Sequence, residues 1–203
     1  MANYTILKEP VYKGYPTQPL SKQHSRSDIL EGIYRVFTHA LATYSKVLYV
    51  RFDLHYPSSG SHLAPDVAFN RFRDSFIKNR ARKGYRPLYI WCLEQDRSPF
   101  PHVHFVLLLS GQVTNSIYGH QQKAREMWYG ILGVPVPEGR AGLLEPCDRE
   151  VPGLAPNGIM IQTSDPNRNN ELNEAFRWTS YLSKTETKGN GPDGTREWGC
   201  SQV

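Results

Sequence analysis

The chain has 203 residues, 39% of them hydrophobic and 21% charged, a make-up ordinary for a globular fold with a real core and unlike that of a disordered or collagenous chain. A formal charge of +5 and a pI near 9.1 favour a polyanionic partner. No run approaches about eighteen apolar residues and MANYTILKEPVYKGY has no apolar stretch, so neither a membrane span nor a signal peptide is expected and the cytoplasm is the expected location.

Residues 1–26 are polar and rich in Pro, Tyr and Lys, and read as an extended arm that either wraps the fold or orders on DNA, whereas residues 27–203 read as a single domain. Ser27 is placed to cap a helix in which Leu30, Ile33, Tyr34, Phe37, Leu41 and Tyr44 recur at 3–4 spacing and so share a buried face. Val47 to His55 (VLYVRFDLH) reads as a strand and Pro57 to Gly60 as a turn. Pro65 then opens a second helix, with Phe69, Phe72 and Phe76 inward, that ends near Gly84. Along and just past this helix Arg71, Arg73, Lys78, Arg80, Arg82, Lys83 and Arg86 are opposed by Asp74 alone. That stripe is either a phosphate-tracking surface or a solvated face whose later cations complement the helix C-terminus.

Leu88 to Leu93 (LYIWCL) and the run from His102 to Leu109 read as two strands joined by a turn from Gln95 to Pro101, an antiparallel hairpin. Residues i and i+2 of a strand point to one face, so His102 and His104 lie side by side while Val103 and Phe105 point away. Glu94, eight residues before His102, stands at the end of the first strand and can reach the pair. Two neutral imidazoles and a carboxylate make a mixed N/O site with open positions, suited to Mg²⁺, Mn²⁺ or Zn²⁺ holding a phosphate oxygen or a water. The plainer alternative is a pair of hydrogen-bonded structural histidines. Arg51, Asp53 and His55 alternate onto one face of the first strand; Asp53 or His55 could add a ligand or orient one, and the other reading is a salt-bridged polar face.

Asn115 to Tyr129 reads as a further helix, Gly130 to Pro156 with its five prolines as a loop-rich insertion, and Gly158 to Gln162 (GIMIQ) as a short strand. Asn169 to Lys188 carries Leu172, Ala175, Phe176 and Leu182 at helical spacing, which puts Tyr181 and Lys184 on one face at i and i+3. A phenol with an ammonium one turn on is a candidate nucleophile with its activator, although Tyr at such a place also serves as the rim of a core. Trp178, one turn earlier, could stack on a base or simply pack. Cys92, Cys147 and Cys200 are scattered with no CxxC pair, which argues against a disulfide framework and a zinc knuckle. No GxxxxGK[ST] occurs, so no P-loop motor is expected. The element order implies an α+β fold, a central, mainly antiparallel sheet with flanking helices.

Taken together, Glu94, the hydrophobic-flanked His102-Val103-His104 and the downstream Tyr181-Leu182-Ser183-Lys184 resemble the HUH endonucleases of the single-tyrosine replication-initiator style. RFDLHYP, PHVHFVLLL and YLSK are most similar to the inovirus-type, filamentous-phage gene-II-like replication proteins also found in prophages, over about Leu30 to Gln202. The resemblance implies a Rep-type fold with the metal hairpin central and the Tyr helix across its His face. It implies Mg²⁺ or Mn²⁺ on Glu94, His102 and His104, and Tyr181 as the nucleophile that nicks single-stranded origin DNA through a 5′-phosphotyrosyl intermediate to start rolling-circle replication. Lys184 would assist Tyr181. Arg51, Arg71, Arg73, Lys78, Arg80, Arg82, Lys83 and Trp178 would meet DNA. A helicase and a host polymerase would be partners. One departure is that Arg177 and Thr185 stand four residues either side of Tyr181, so a two-tyrosine mechanism is not implied.

Other readings stay open at this level: a non-cutting origin- or operator-binding module of the same fold, a transposase or relaxase, and a histidine-triad hydrolase. Against the last, Val106 stands where a third His would be.

Overall fold

The structure, a computed structural model, describes residues 4–18, 24–58, 63–95, 101–139, 142–147, 157–186, 188 and 196–203. In chain order its elements are β1 (Ile6–Leu7), β2 (Val11–Tyr12), β3 (Tyr15–Pro16), β4 (Ser25–Arg26), α1 (Ser27–Thr43), β5 (Lys46–His55), α2 (Pro65–Arg82), β6 (Leu88–Glu94), β7 (His102–Ser110), α3 (Ile117–Leu132), β8 (Leu144–Glu145), β9 (Met160–Gln162), α4 (Asn169–Ser180), a 3-10 turn (Tyr181–Ser183) and β10 (Trp198–Cys200). Parts of three expected turns and loops, at 59–62, 96–100 and within 130–156, lie outside the described residues.

The long strands run β10-β6-β7-β5-β8, with β9 also on β5, and every pairing is antiparallel. This is the α+β arrangement that the sequence implies. Alternation along the strands divides their side chains between two layers. Leu48, Val50, Phe52 and Leu54 of β5, Trp91 and Leu93 of β6, and Val103, Phe105 and Leu107 of β7 meet the Phe69, Phe72 and Phe76 stripe of α2 and the Trp128 side of α3. On the opposite face Val47 and Tyr49, Ile90 and Cys92, and Val106 and Leu108 meet Ile29, Ile33, Val36 and Phe37 of α1 and Leu172 and Phe176 of α4.

Three details differ from the sequence reading. Ser27 is the first helical residue of α1 rather than its cap, and its hydroxyl accepts the Thr5 N–H at 2.9 Å. The final helix stops at Ser180 instead of running to Lys188, because Thr179, Ser180 and Ser183 each donate a hydroxyl to a carbonyl three or four residues back and the chain tightens into a 3-10 turn. β10, which no motif announces, seals the edge of β6 and packs on α1, where Gly32 leaves room for the Trp198 ring. The N-terminal segment packs on the fold: Tyr15 stacks on Phe176 at 4.7 Å, Ser25 bridges to Lys184, and the Gln18 N–H donates to the Ser180 hydroxyl at 2.8 Å. Among the described residues no helix is long and apolar enough to cross a membrane.

Candidate metal and tyrosine site

Strand register alone assembles most of the site. His55 faces His102 across β5 and β7, and His102 faces Glu94 across β7 and β6; one row inward, Asp53, His104 and Cys92 align in the same way. All six share the face covered by α1 and α4, at the end of the strands where the apolar layer stops. The ligand atoms of Glu94, His102 and His104 lie within 4.8 Å of one another.

Glu94 is fully buried, with Oε2 3.2 Å from His104 Nε2 and 3.6 Å from His102 Nε2. Burial alone would raise its carboxyl. The close approach of His102 and His104 and the charge of Lys188 outweigh that and hold it far below the usual carboxylate range. Asp53 Oδ2 lies 2.7 Å from His104 Nδ1, and the charges of His104 and Arg51 likewise overcome desolvation and hold the Asp53 carboxyl down. Asp53 thus meets His104 at Nδ1, and the other ring nitrogen, Nε2, faces Glu94.

His104 Nε2 is buried without a hydrogen-bond partner, whereas Glu94 Oε2 is met by the Lys184 ammonium at 2.7 Å. Nε2 and Oε2 stand 3.2 Å apart, close enough for one cation to be held by both. This donor set, two imidazoles and one carboxylate with Asp53 orienting one imidazole from behind, fits Mg²⁺, Mn²⁺ or Zn²⁺.

The expected tyrosine stands over this cluster. Its ring centroid is 5.6 Å from that of His104, edge to face, and 5.4 Å from the Arg51 guanidinium. Lys184 Nζ donates to the Tyr181 hydroxyl and lies 2.7 Å from Glu94 Oε2, so one ammonium touches both phenol and carboxylate. The 3-10 turn brings i and i+3 nearly into eclipse, which is how Lys184 meets Tyr181 so closely.

The remaining sequence candidates divide by position. Arg51 is buried beneath the site, 3.6 Å from Asp53 and donating to the Trp178 carbonyl at 3.2 Å. Its backbone N–H and C=O are both held by the Asn157 amide, which fills the gap between β8 and β9. Trp178 is half-buried with Arg51 5.6 Å from its ring, and His55 is half-buried with its ring 5.7 Å from that of His102. Arg71, Lys78, Arg82 and Lys83 are exposed, and Arg73 pairs with Asp74 at 2.8 Å; α2 stands across the sheet from the histidines. Arg80 turns inward, 6% exposed, with one guanidinium nitrogen 3.3 Å from His120 Nδ1.

Lys188 is a site residue to which the sequence reading gave no role. Its ammonium is 2.7 Å from Glu94 Oε1 and its side chain is 3% exposed. The one signal in the sequence was its spacing, four residues past Lys184 and seven past Tyr181.

Over residues 7–201 the chain matches the family model described as the YagK/YfjJ C-terminal domain. Among solved structures it is similar to the catalytic domain of the adeno-associated virus type 5 Rep protein, at 12% identity over 68% of this chain and 96% of that one, with a TM-score of 0.29, a likeness too slight to carry fold or function. No curated protein matches the sequence.

Proposed function

The chain belongs to the YagK/YfjJ C-terminal domain family, and from its site we propose that it is a metal-dependent, single-tyrosine endonuclease that nicks single-stranded DNA at the replication origin of a phage or prophage element. The observation that carries this reading is the shared ammonium of Lys184, which joins the Tyr181 hydroxyl to the carboxylate of a Glu–His–His cluster. A structural tyrosine needs no such neighbour. A phosphoryl-transfer nucleophile does, because it must meet an anionic phosphate with its own charge compensated.

Glu94, His102 and His104 would hold Mg²⁺ or Mn²⁺, which when bound supplies Lewis-acid polarisation of a non-bridging phosphate oxygen. Asp53 fixes the His104 ring and its tautomer, and Arg51 keeps Asp53 ionised. Tyr181 Oη attacks phosphorus as the bond from phosphorus to O3′ breaks. The phenol proton leaves and the departing 3′ oxygen gains one, so one phosphodiester becomes a 5′-phosphotyrosyl ester and a free 3′-OH. Lys184 orients the phenol oxygen and stabilises the negative charge that develops on it. The 3′-OH would then serve a host polymerase, with a separate helicase opening the strand.

The test is incubation with single-stranded DNA from the flanking locus and Mn²⁺, read as an SDS-resistant protein–DNA species on a denaturing gel. The species should vanish with EDTA and in Tyr181→Phe, which keeps the ring and loses the oxygen. Cleavage that survives in Tyr181→Phe would sink the assignment. DNA binding without any adduct would favour the non-cutting module.

A further inference from the structure

We infer that Lys188 is a built-in stand-in cation on the metal-ligand carboxylate, so that metal loading of this site is an exchange of cations on Glu94 and is coupled to the arrival of the DNA phosphate. The inference rests on the metal reading above and adds a residue and a regulation to it.

Glu94 carries one negative charge, yet both its oxygens are met by ammonium groups at 2.7 Å, Lys188 on Oε1 and Lys184 on Oε2. Both lysine side chains are nearly closed off from solvent, at 3% and 8% exposed. An exposed ion pair of this kind contributes little, whereas a buried one is costly to break because it strands a charge. The clamp therefore stabilises the metal-free site and competes with any ion that uses the same carboxylate.

Charge balance shows which event releases the clamp. The charged groups that touch the cluster are Lys184 and Lys188 on Glu94 and Asp53 on His104, with the Arg51 guanidinium beside Asp53 and Glu145 opposite it in the strand register. A divalent ion added beside two ammonium groups already on that carboxylate is opposed by Coulomb repulsion at short range. A phosphate diester brings the missing anion. It gives the displaced ammonium groups new oxygens to bind, so that metal and DNA each improve the other's binding. Lys184 already reaches Tyr181 and has a second partner after exchange. Lys188 is the one of the pair with no other role in the proposed chemistry.

Mn²⁺ is titrated without DNA against wild type, Lys188→Met and Glu94→Gln, with free ion read from its EPR signal. Lys188→Met should bind Mn²⁺ at least about tenfold tighter than wild type, and Glu94→Gln should lose binding. A merely structural Lys188 would lower the thermal stability of its variant and leave Mn²⁺ affinity unmoved. Lys188→Met binding no tighter than wild type overturns the exchange, while Mn²⁺ held by wild type and lost in Glu94→Gln leaves the metal reading standing. Should Lys188→Met fail to fold, Tyr181→Phe decides: adding a single-stranded oligonucleotide should tighten Mn²⁺ binding by about tenfold, and no change overturns the exchange. Absence of Mn²⁺ binding in every protein, with and without DNA, overturns both readings.

Discussion

The two faces of the central sheet are built by the same three strands and differ in almost everything else. Toward α2 and α3, Phe52, Phe69, Phe72, Phe76 and Phe105 interlock, with Phe52 stacked on Phe105 at 5.2 Å and Phe72 on Phe76 at 5.2 Å. Toward α4 and the 3-10 turn, the residues between them in sequence are Arg51, Asp53, His55, Glu94, His102 and His104. A strand of period two lets one segment serve as both core and site, and a one-residue slip would exchange the two sets. The aromatic layer fixes the register, and the register places the candidate ligands. Stability and chemistry should therefore separate cleanly by residue parity.

The largest expected effect breaks the stable side of that comparison. Phe105→Ala, at a fully buried ring touching five other aromatic rings on α2, β5 and β6, should cost about 3–5 kcal/mol in a denaturant titration. His104→Ala, its neighbour in sequence, leaves the Asp53 carboxylate with Arg51 as a buried partner and should cost less while abolishing Mn²⁺ binding. Equal losses of stability in the two variants would defeat the division of labour.

A second effect also lies on the α2 side. Burial and the neighbouring Arg80 charge push His120 down to about 4, with Nδ1 facing Arg80 at 3.3 Å and Nε2 2.9 Å from the Thr114 hydroxyl. The folded protein thus keeps His120 neutral where the unfolded chain, near 6.5, takes up a proton. More protons on the unfolded state means that stability falls as pH drops from about 6.5 to about 4 and is steady with respect to this group above and below that window, a change of up to about 3 kcal/mol. His120→Gln should flatten that part of the pH profile of Tm.

On the site face, Asp53→Asn keeps the shape of the carboxylate and removes the charge that holds His104 in its tautomer from 2.7 Å. Loss of such an orienting partner should weaken Mn²⁺ binding by about 10–100-fold. An unchanged affinity would mean that His104 is oriented by packing alone.

How much of this was legible before the fold was seen follows from which interactions are local. The Glu94–His102–His104 cluster was legible because period two and a hairpin place Glu94 and His102 opposite each other with no tertiary information. The aromatic stripe of α2 was legible for the same reason at period 3.6. The end of α4 was not: apolar spacing continues through Leu182, and the hydroxyl-to-carbonyl bonds of Thr179, Ser180 and Ser183 that end the helix leave no mark on hydrophobic periodicity. Lys188 could not be assigned because its partner is ninety-four residues away, and β8 and β10 are too short, at two and three residues, to announce themselves. Arg80 looked the same in sequence as Lys78 and Arg82. Only the helical phase against His120 separates it from them.

That separation supplies the smallest and sharpest prediction. Each cation that contacts a DNA phosphate contributes about one to the slope of binding against salt, and its removal weakens binding to all sequences alike. Arg71, Lys78, Arg82 and Lys83 are exposed on the helix across the sheet from Tyr181, so only a strand long enough to pass around the edge of the sheet reaches them. Changing these four to Gln should reduce the salt slope for long single strands and leave that for a short oligonucleotide spanning the nick nearly as it was. Arg80→Gln should do the reverse of its neighbours. It leaves the slope alone for either length, because its guanidinium is buried, and it lowers Tm by breaking the contact with His120. An equal fall in slope for short and long strands in the fourfold variant would place α2 beside Tyr181 and contradict the two-faced arrangement of the sheet.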